Sequence, residues 1–309
     1  MYDKLVLVTR KTRLEGLVER FNTKAQAKFY IEHSSGNFEL YEQEHATYYA
    51  ALSRLQKALH GLLKVQVVER SFLPNFFFSP GDVVVVLGID GLVVNTAKYL
   101  SGQPLVAVNP DPRHIDGLLL PFEVGNAPTA VSNVLTGKHV FRAITMTEAT
   151  LNDGQTLLAF NDLFIGRHDH ASARYHIESH GRGENQSSSG VIVSTGAGAT
   201  GWLSSLFNMA NGLLDGFGRG EGQAVPPTLE WNTEKLVFVV REPFISKTSA
   251  AGMVCGVITA ESPLRLESHM PEGGVIFSDG VKQDYLPFNA GSLATIGLAA
   301  QKTNLVVAS

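Results

Sequence analysis

Short runs of aliphatic and β-branched residues alternate with longer helical segments over the first third of the chain, and this alternation constrains the fold more than any other feature. The strand-like runs are residues 5–8, 65–68, 83–87 and 105–108. Residues 44–63 repeat apolar side chains every three or four positions, as an amphipathic helix does, and residues 90–100 can form another helix. Strands separated by helical spacers predict a parallel, doubly wound α/β sheet.

The pattern changes after about residue 121, where one short helix is expected at residues 128–137. Most of the remainder is rich in β-branched or alternating residues, which predicts a mostly β second domain. These runs are residues 140–147, 156–165, 171–177, 191–194, 236–240, 254–258 and 275–277. A further helix is predicted at residues 200–214, with Trp202 and Met209 on its apolar stripe, and the Gly/Pro-rich residues 212–227 are expected to be a mobile loop.

Composition limits the classes of protein to which the chain can belong. With 309 residues, 44% hydrophobic and 17% charged, it is long enough for two globular domains. A net charge of −4 argues against a nucleic-acid-binding surface, and every apolar run is too short for a membrane helix. The single cysteine, Cys255, is expected to be a buried core residue in a reducing compartment, so the prediction is a cytoplasmic protein without a membrane partner.

A glycine-flanked aspartate follows the third strand-like run. Gly88, Asp90 and Gly91 lie where that strand would lead into a helix, the usual position for a ligand in an open α/β sheet. Glycines allow the backbone to approach a phosphate, whereas a carboxylate there could act as a general base or hold a metal. The alternative is an ordinary βα turn in which Asp90 caps the helix.

Residues 196–201 follow a strand, precede a helix and have the pattern G-x-G-x-x-G. Gly196, Gly198 and Gly201 therefore indicate a phosphate- or nucleotide-binding turn. A Rossmann domain at this place is not predicted, because the next strand follows a long loop and the nearest downstream acid, Asp215, comes too early.

Two polar clusters interrupt the β-rich half. Asn161 and Asp162 lie at the edge of an apolar strand, where an amide and a carboxylate could bind ribose hydroxyls or simply form a turn or bulge. His168 and His170 could share one face of a strand, but no other residues complete a four-ligand set, so no metal site is assigned.

In this order the motifs resemble those of the NAD kinase family, which shares a G-G-D-G-T element with diacylglycerol and sphingosine kinases. Residues 88–92 correspond to that element, Asn161-Asp162 to the Asn-Glu motif, residues 190–202 to the nucleotide loop and Ser278-Asp279-Gly280 to a late Asp-Gly strand end. The resemblance is strongest to the mitochondrial type. The amino-acid sequence of the mitochondrial type is similar at residues 7–13, 108–112, 164–166, 188–190, 202 and 241–243.

The resemblance implies a Rossmann-like α/β domain of residues 1–123 and 295–309 and a β-sandwich-like domain of residues 124–294, with the nucleotide site between them. It also implies ATP-dependent phosphorylation of the adenosine-ribose 2′-hydroxyl of NAD, giving NADP, with Mg²⁺ neutralising the ATP phosphates. Members of the family usually form homodimers or larger homo-oligomers.

Individual roles follow from the same resemblance. Asp90 would be the general base. The residues that would bind NAD are Asn161, Asp162, Thr200, Gly201 and Trp202. The residues that would approach the ATP phosphates are Gly88, Gly91, Gly196 and Gly198.

Three positions depart from the family pattern: Ile89 replaces a glycine, Leu92 a threonine and Asp162 a glutamate. They leave alternative functions open. The chain could be a nucleotide-binding protein with weak or no kinase activity, or a kinase of the same superfamily that acts on a lipid or a sugar. An oxidoreductase built on residues 196–201 would need a second βαβ half, which the sequence lacks.

Overall fold

The structure, a computed structural model, describes residues 2–217, 222–281 and 284–308. The chain forms two compact units: unit 1 comprises Met1–Arg142 and Thr303–Ser309, and unit 2 comprises Ala143–Lys302. These boundaries differ from the predicted ones at residues 123 and 295, so the short helix expected at 128–137 lies in unit 1.

Unit 1 is built from strands and helices in alternation. Its elements are β1 (Lys4–Thr9), α1 (Arg13–Phe21), α2 (Lys24–His33), α3 (Glu39–Leu59), β2 (Val65–Glu69), a 3₁₀ helix (Arg70–Asn75), β3 (Asp82–Leu87), α4 (Asp90–Ala97), β4 (Pro104–Asn109), β5 (Phe122–Glu123) and α5 (Ala127–Leu135).

The sheet of unit 1 is parallel, with strand order β4-β3-β1-β2. Every residue of β3 and β4 is buried, as expected for a parallel sheet covered on both faces. Helices α3 and α5 pack on one face, where Leu55 and Val131 join Leu5 and Val85 in one core cluster. The predicted doubly wound α/β architecture is thereby confirmed.

Two helices of unit 1, α1 and α2, were not predicted. Helix α1 begins with a capping box, in which the Thr12 side chain accepts from the Glu15 backbone N–H and the Glu15 side chain accepts from the Thr12 N–H. The start of α1 could therefore have been predicted from the pattern T-x-x-E at residues 12–15. The helices pack on each other through a small cluster of their own that contains Leu14 and Ile31.

Unit 2 is mostly β. Its elements are β6 (Val140–Leu151), β7 (Thr156–Ala159), β8 (Asp162–Arg167), β9 (Ala173–Ser179), β10 (Arg182–Ser188), β11 (Val191–Ser194), a π-helical turn (Ala199–Leu203), α6 (Ser204–Phe217), β12 (Leu236–Val240), β13 (Cys255–Ile258), β14 (Leu264–Ser268), β15 (Gly274–Ser278), β16 (Tyr285–Pro287) and β17 (Leu293–Val307). The first three residues of β6 and the last five of β17 belong to unit 1.

Two sheets share one core in unit 2. One has the order β10-β9-β14-β17, and the other has the order β13-β12-β11-β8-β15-β16. Ile177 and Leu266 of the first sheet belong to the same buried cluster as Ile165, Val193 and Phe238 of the second. Two sheets that bury their inner faces against each other form a sandwich, so the predicted β-sandwich-like class is confirmed.

Three details of unit 2 differ from expectation. Helix α6 runs to Phe217, so residues 212–217 of the predicted loop are helical, whereas residues 218–221 of it lie outside the described part of the chain. Helix α6 buries none of its residues, and Met209 on the predicted stripe is 46% exposed. Cys255 is exposed rather than buried, because it lies on the edge strand β13.

Within residues 2–217, 222–281 and 284–308, no helix combines the length and the apolar character that crossing a bilayer requires.

Candidate functional site

Asp90 is held at the carboxyl edge of the unit 1 sheet. Strand β3 ends at Leu87, and Asp90 is the first residue of α4. Its two carboxylate oxygens accept the backbone N–H groups of Leu118 at 3.1 Å and Leu119 at 2.9 Å. The carboxylate therefore fixes a neighbouring loop of unit 1 and is itself fixed in place.

The two departures beside Asp90 have clear structural consequences. Ile89 has φ −109° and ψ 167°, an extended conformation that isoleucine adopts without strain. Leu92 is buried, and its Cδ2 atom would lie 2.8 Å from a Cβ built on Gly88. Leucine thus fills the space beside Gly88 with an apolar side chain, in the place where a threonine would offer a hydroxyl.

Asn161 and Asp162 lie where the chain passes from one sheet of unit 2 to the other. The predicted continuous run at residues 156–165 breaks here, because β7 pairs with β6 whereas β8 pairs with β11 and β15. At the break, three consecutive backbone N–H groups do not donate to a neighbouring strand. The Asp279 carboxylate accepts all three, from Phe160 at 3.0 Å, Asn161 at 2.7 Å and Asp162 at 3.1 Å.

Asp279 itself has φ 52°, a left-handed conformation that aspartate tolerates better than most residues, and Gly280 follows it. Its own backbone N–H donates to the Asp162 carbonyl at 3.0 Å. The Asp-Gly pair at the end of β15 thus anchors the turn that presents Asn161 and Asp162.

The Asp162 carboxyl is the most perturbed group near this turn. Burial raises its pKa to about 7; a hydrogen bond with Ser194 opposes the rise, and the negative charge of Asp279 adds to it. The Oδ1 atom of Asp162 is buried and has no hydrogen-bond partner. A buried polar atom without a partner is costly, so this one is well suited to a ligand that brings a donor.

A cavity of about 590 Å³ opens beside the turn. Asn161, Asp162 and Trp202 line it together with residues of β8 and β15. The Phe164 ring is stacked on Trp202, with centroids 5.7 Å apart and planes at 19°, and on Phe277, at 6.3 Å and 20°. Parallel aromatic rings beside an amide and a carboxylate form a site suited to a flat heterocycle and its sugar.

The glycine-rich turn approaches the same backbone closely. A Cβ on Gly198 would lie 2.8 Å from Asp162 Oδ1 and 2.7 Å from the Asn161 carbonyl carbon. A Cβ on Gly196 would lie 2.8 Å from the carbonyl carbon of Glu230. Both positions require glycine for packing within unit 2, whatever ligand the turn binds.

The structure brings only some of the predicted residues together. Asn161, Asp162 and Trp202 share the cavity, whereas Thr200 and Gly201, which lie in the same π-helical turn as Trp202, do not line it. Gly88, Asp90 and Gly91 belong to unit 1. Phe164 and Phe277 were not predicted as site residues, because an aromatic residue on a β-strand is equally typical of a core.

The His168-Asp169-His170 segment has a structural explanation. Asp169 forms a bidentate ion pair with Arg167, whose Nε donates to Oδ1 at 2.8 Å and whose Nη2 donates to Oδ2 at 2.7 Å. This guanidinium holds the pKa of the Asp169 carboxyl far below its usual range. Within the part of the chain that the structure describes, no group of three or more His, Cys, Asp or Glu side chains is arranged to hold a metal ion.

Comparison with solved structures identifies the architecture. Yeast NADH kinase, in a structure with NADH, matches all of this chain and 84% of its own at a TM-score of 0.58 and 14% identity. An NAD kinase from Archaeoglobus fulgidus, in a structure with ATP, matches 98% of this chain and 92% of its own at a TM-score of 0.57 and 17% identity. The chain has the NAD kinase fold.

Sequence comparison agrees with the NAD kinase fold over part of the chain. Two curated proteins from Clostridium kluyveri, both named NAD kinase, are 28% identical over 142 residues, 43% of this chain. The match spans about half the length of these relatives, 49%. No family model matches the chain. The resemblance to NAD kinases is confirmed, whereas that to the mitochondrial type stays a prediction.

Proposed function

We propose that this chain is an NAD kinase, which transfers the γ-phosphoryl group of ATP to the adenosine-ribose 2′-hydroxyl of NAD. The observation that carries the proposal is the aromatic cavity with the unpartnered Asp162 carboxylate oxygen, in a chain with the NAD kinase fold. A ribose hydroxyl would supply the missing donor, Asn161 would add a second hydrogen bond, and the Trp202 ring would stack on a base.

The proposed step is an in-line displacement at phosphorus. The 2′-oxygen of NAD forms the new bond to the γ-phosphorus, the bond to the β-γ bridging oxygen breaks, and ADP leaves. The proton of the 2′-hydroxyl passes to the Asp90 carboxylate, which then releases it to solvent. Mg²⁺ enters as part of the substrate, MgATP, and neutralises the phosphates.

The glycine residues complete the proposal. Gly91 lies beside Asp90 with nothing within 4 Å of the position that its Cβ would take, so a phosphate could approach the backbone there. At Gly88 that space is filled by Leu92, and at Gly196 and Gly198 it is filled by the backbone of Glu230 and Asn161. Thr200 and Gly201 would contribute to the NAD site from the π-helical turn that also contains Trp202. We further propose that the protein is cytoplasmic and forms a homo-oligomer. A contact between subunits could cover the exposed apolar residues of α6.

The test is NADP formation by the purified protein with ATP, Mg²⁺ and NAD, read out with an NADP-specific dehydrogenase. Asp90→Asn keeps the shape of the side chain but removes the base and one of the two oxygens that accept the Leu118 and Leu119 N–H groups, so turnover should fall by about 10²-fold or more. NAD binding, measured by calorimetry, should stay within a few-fold. Comparable turnover in this variant would remove Asp90 from the mechanism.

One observation favours a second candidate, a nucleotide-binding protein without transferase activity. Leu92 is buried against Gly88, and both oxygens of Asp90 are engaged by backbone N–H groups. If these features suppress transfer, the double variant Ile89→Gly/Leu92→Thr should gain activity sharply. Robust activity of the unmodified protein, with no gain in the double variant, would discard this candidate.

A further inference from the structure

A small cavity lies beside β4 of unit 1 and shares no lining residue with the aromatic cavity. Its volume is about 230 Å³. Its lining comes from β5, from α5 and the residues next to that helix, and from the end of β17. All of these residues belong to unit 1, so the cavity is a feature of that unit alone.

The cavity lies where two short segments share one side of β4. Strand β17 pairs with the start of β4, at Pro104 and Leu105, whereas β5 pairs with its end, at Val108 and Asn109. The two pairings leave residues 106–107 of β4 between them. Helix α5 packs beside the same part of the sheet, and the cavity is the space that the helix and the two segments enclose.

Part of the lining is apolar. Phe122, Ala130 and Val306 are almost completely buried, and all three belong to the core cluster of unit 1. The volume lies below the range of about 300–1,000 Å³ that is typical of drug-sized ligands, so the cavity suits a molecule of about one ring. A flat ring gains free energy by covering apolar side chains, and Phe122 offers it an aromatic partner.

The polar part of the lining has unused hydrogen-bonding groups. The Nδ1 atom of His139 is buried and has no hydrogen-bond partner. Thr129 and Asn133 lie one turn apart on α5, and their side chains make no hydrogen bond to any residue that the structure describes. Asn126 accepts the Glu123 backbone N–H with its Oδ1 atom at 2.8 Å, which leaves its amide hydrogens for a ligand.

The lining indicates the charge of that ligand. Among the residues that the structure describes, no Lys, Arg, Asp or Glu side chain lines the cavity. A charged molecule that leaves water for such a site finds no opposite charge to replace its hydration, so the lining favours an uncharged ligand.

The polar groups also indicate which functional group fits. The Nδ1 atom of His139 donates in one tautomer of the neutral ring and accepts in the other, so its ligand must offer the opposite group. A primary carboxamide offers a donor and an acceptor on one planar group. It can also pair with the side-chain amide of Asn133 through two parallel hydrogen bonds.

We propose that this cavity binds a small, uncharged aromatic carboxamide. The ring lies against Phe122 and Val306, and the carboxamide bonds to Asn133 and to Nδ1 of His139. A ligand held in this way contacts both α5 and the end of β17, so binding stabilises unit 1 where the returning strand joins it. The proposal is independent of the kinase function and uses none of the residues assigned to it.

Nicotinamide is the probe that tests the ligand class, and nicotinate is its matched control because it carries a carboxylate on the same ring. In calorimetry with the whole chain, nicotinamide should bind with a Kd below about 1 mM. Nicotinate should bind at least about tenfold more weakly, because its charge has no partner. Equal or tighter binding of nicotinate, or no binding of nicotinamide at about 10 mM, overturns the proposal.

A pair of asparagine variants tests the position of the site. Asn133→Leu removes the amide pair and should raise the Kd of nicotinamide about tenfold. Asn208 is the control, because it lies on α6, does not line the cavity and has no side-chain hydrogen bond to another described residue. Asn208→Leu should leave the Kd within about twofold.

A second variant keeps the test decisive if Asn133→Leu does not fold. His139→Phe retains a flat ring but lacks Nδ1, and it should raise the Kd about fivefold or more. Circular dichroism and Tm identify the variants that fold. An unchanged Kd in either folded variant contradicts the proposal.

Hydrogen exchange shows where the probe binds. At about ten times its Kd, nicotinamide should slow the exchange of α5 amides about tenfold where exchange requires unfolding of unit 1. Amides of β8, which lines the aromatic cavity, should be unaffected. Protection of β8 and of the residues around Trp202, without protection of α5, places the probe in the aromatic cavity and overturns the proposal.

Discussion

At the scale of single residues, Asp162 is a buried carboxyl that lacks a full set of hydrogen-bond partners. Its carboxyl is buried with one oxygen unpartnered, and its pKa is raised from 3.8 to about 7 by burial, against the opposing hydrogen bond from Ser194 and with help from the Asp279 charge. A group of this kind lowers the stability of the fold but is suitable for binding. A ligand that donates a hydrogen bond to the carboxylate replaces the hydrogen bond with water that the oxygen lost on burial.

The raised pKa predicts how Asp162 affects stability. The unfolded chain releases this proton near pH 3.8, whereas the native state retains it up to about pH 7. Over that interval the native state binds more protons, so the carboxyl contributes a stability that is lost as the pH rises through 7. Replacement by asparagine removes the titration, and the free energy of unfolding of Asp162→Asn relative to wild type should increase by up to about 4 kcal/mol from pH 4 to pH 8.

Urea unfolding of both proteins at a series of pH values between 4 and 8 measures this difference. A constant difference across the series would show that Asp162 titrates normally in the native state. The same variant should weaken NAD binding at pH 8, where the wild-type carboxylate is ionised and accepts hydrogen bonds best.

At the scale of elements, the glycine-rich turn of residues 195–198 packs closely against the backbone of Asn161. This turn connects β11 to the π-helical turn. A Cβ at Gly198 would meet the backbone of Asn161, which cannot move without disturbing the three hydrogen bonds to Asp279. Gly198→Ala should therefore lower the free energy of unfolding by about 1–3 kcal/mol and also impair NAD binding.

Gly212→Ala is the matched control for this substitution. Gly212 lies inside α6, and nothing lies within 4 Å of the position its Cβ would take. Because alanine favours helix over glycine, this variant should be neutral or more stable by up to about 1 kcal/mol. If denaturant unfolding shows equal effects for the two substitutions, close approach at Gly198 is not the cause.

At the scale of the whole molecule, strand β17 returns the chain to unit 1. Its early residues pair with β14 in unit 2, and Asn304 and Leu305 pair with β4 in unit 1. Val306 belongs to the same core cluster as Leu5 and Val85. The core of unit 1 is therefore completed by residues about two hundred positions away in the sequence.

Two leucines on the same strand test this arrangement. Leu305 is buried and Leu293 is 49% exposed. Leu305→Ala should destabilise unit 1 by about 2–5 kcal/mol, seen as faster hydrogen exchange of the β4 amides, whereas Leu293→Ala should change stability by less than about 0.5 kcal/mol. Unaltered exchange in β4 of Leu305→Ala would show that unit 1 does not depend on β17.

The sequence by itself determined the two-part architecture, because hydrophobic periodicity and spacing act locally. Strands β1 to β4, helix α3 and the mostly β second half could all be predicted from apolar patterns. Asp90 could be predicted from its place between a strand and a helix, and Asn161 and Asp162 as polar residues at the edge of an apolar strand. Helix α1 carried a readable capping signal that the apolar pattern did not reveal.

Only the tertiary structure decided which of these residues meet. Asn161 and Asp162 indicate a turn or bulge within residues 156–165, but they do not reveal that β7 and β8 join different sheets. The Asp279 carboxylate accepts N–H groups from residues more than a hundred positions earlier in the chain. Phe164 stacks on Trp202 and Phe277, which lie tens of positions and more than a hundred positions later. Burial is likewise a property of the folded chain, so the raised pKa of Asp162 and the exposure of Cys255 followed from packing rather than from residue type.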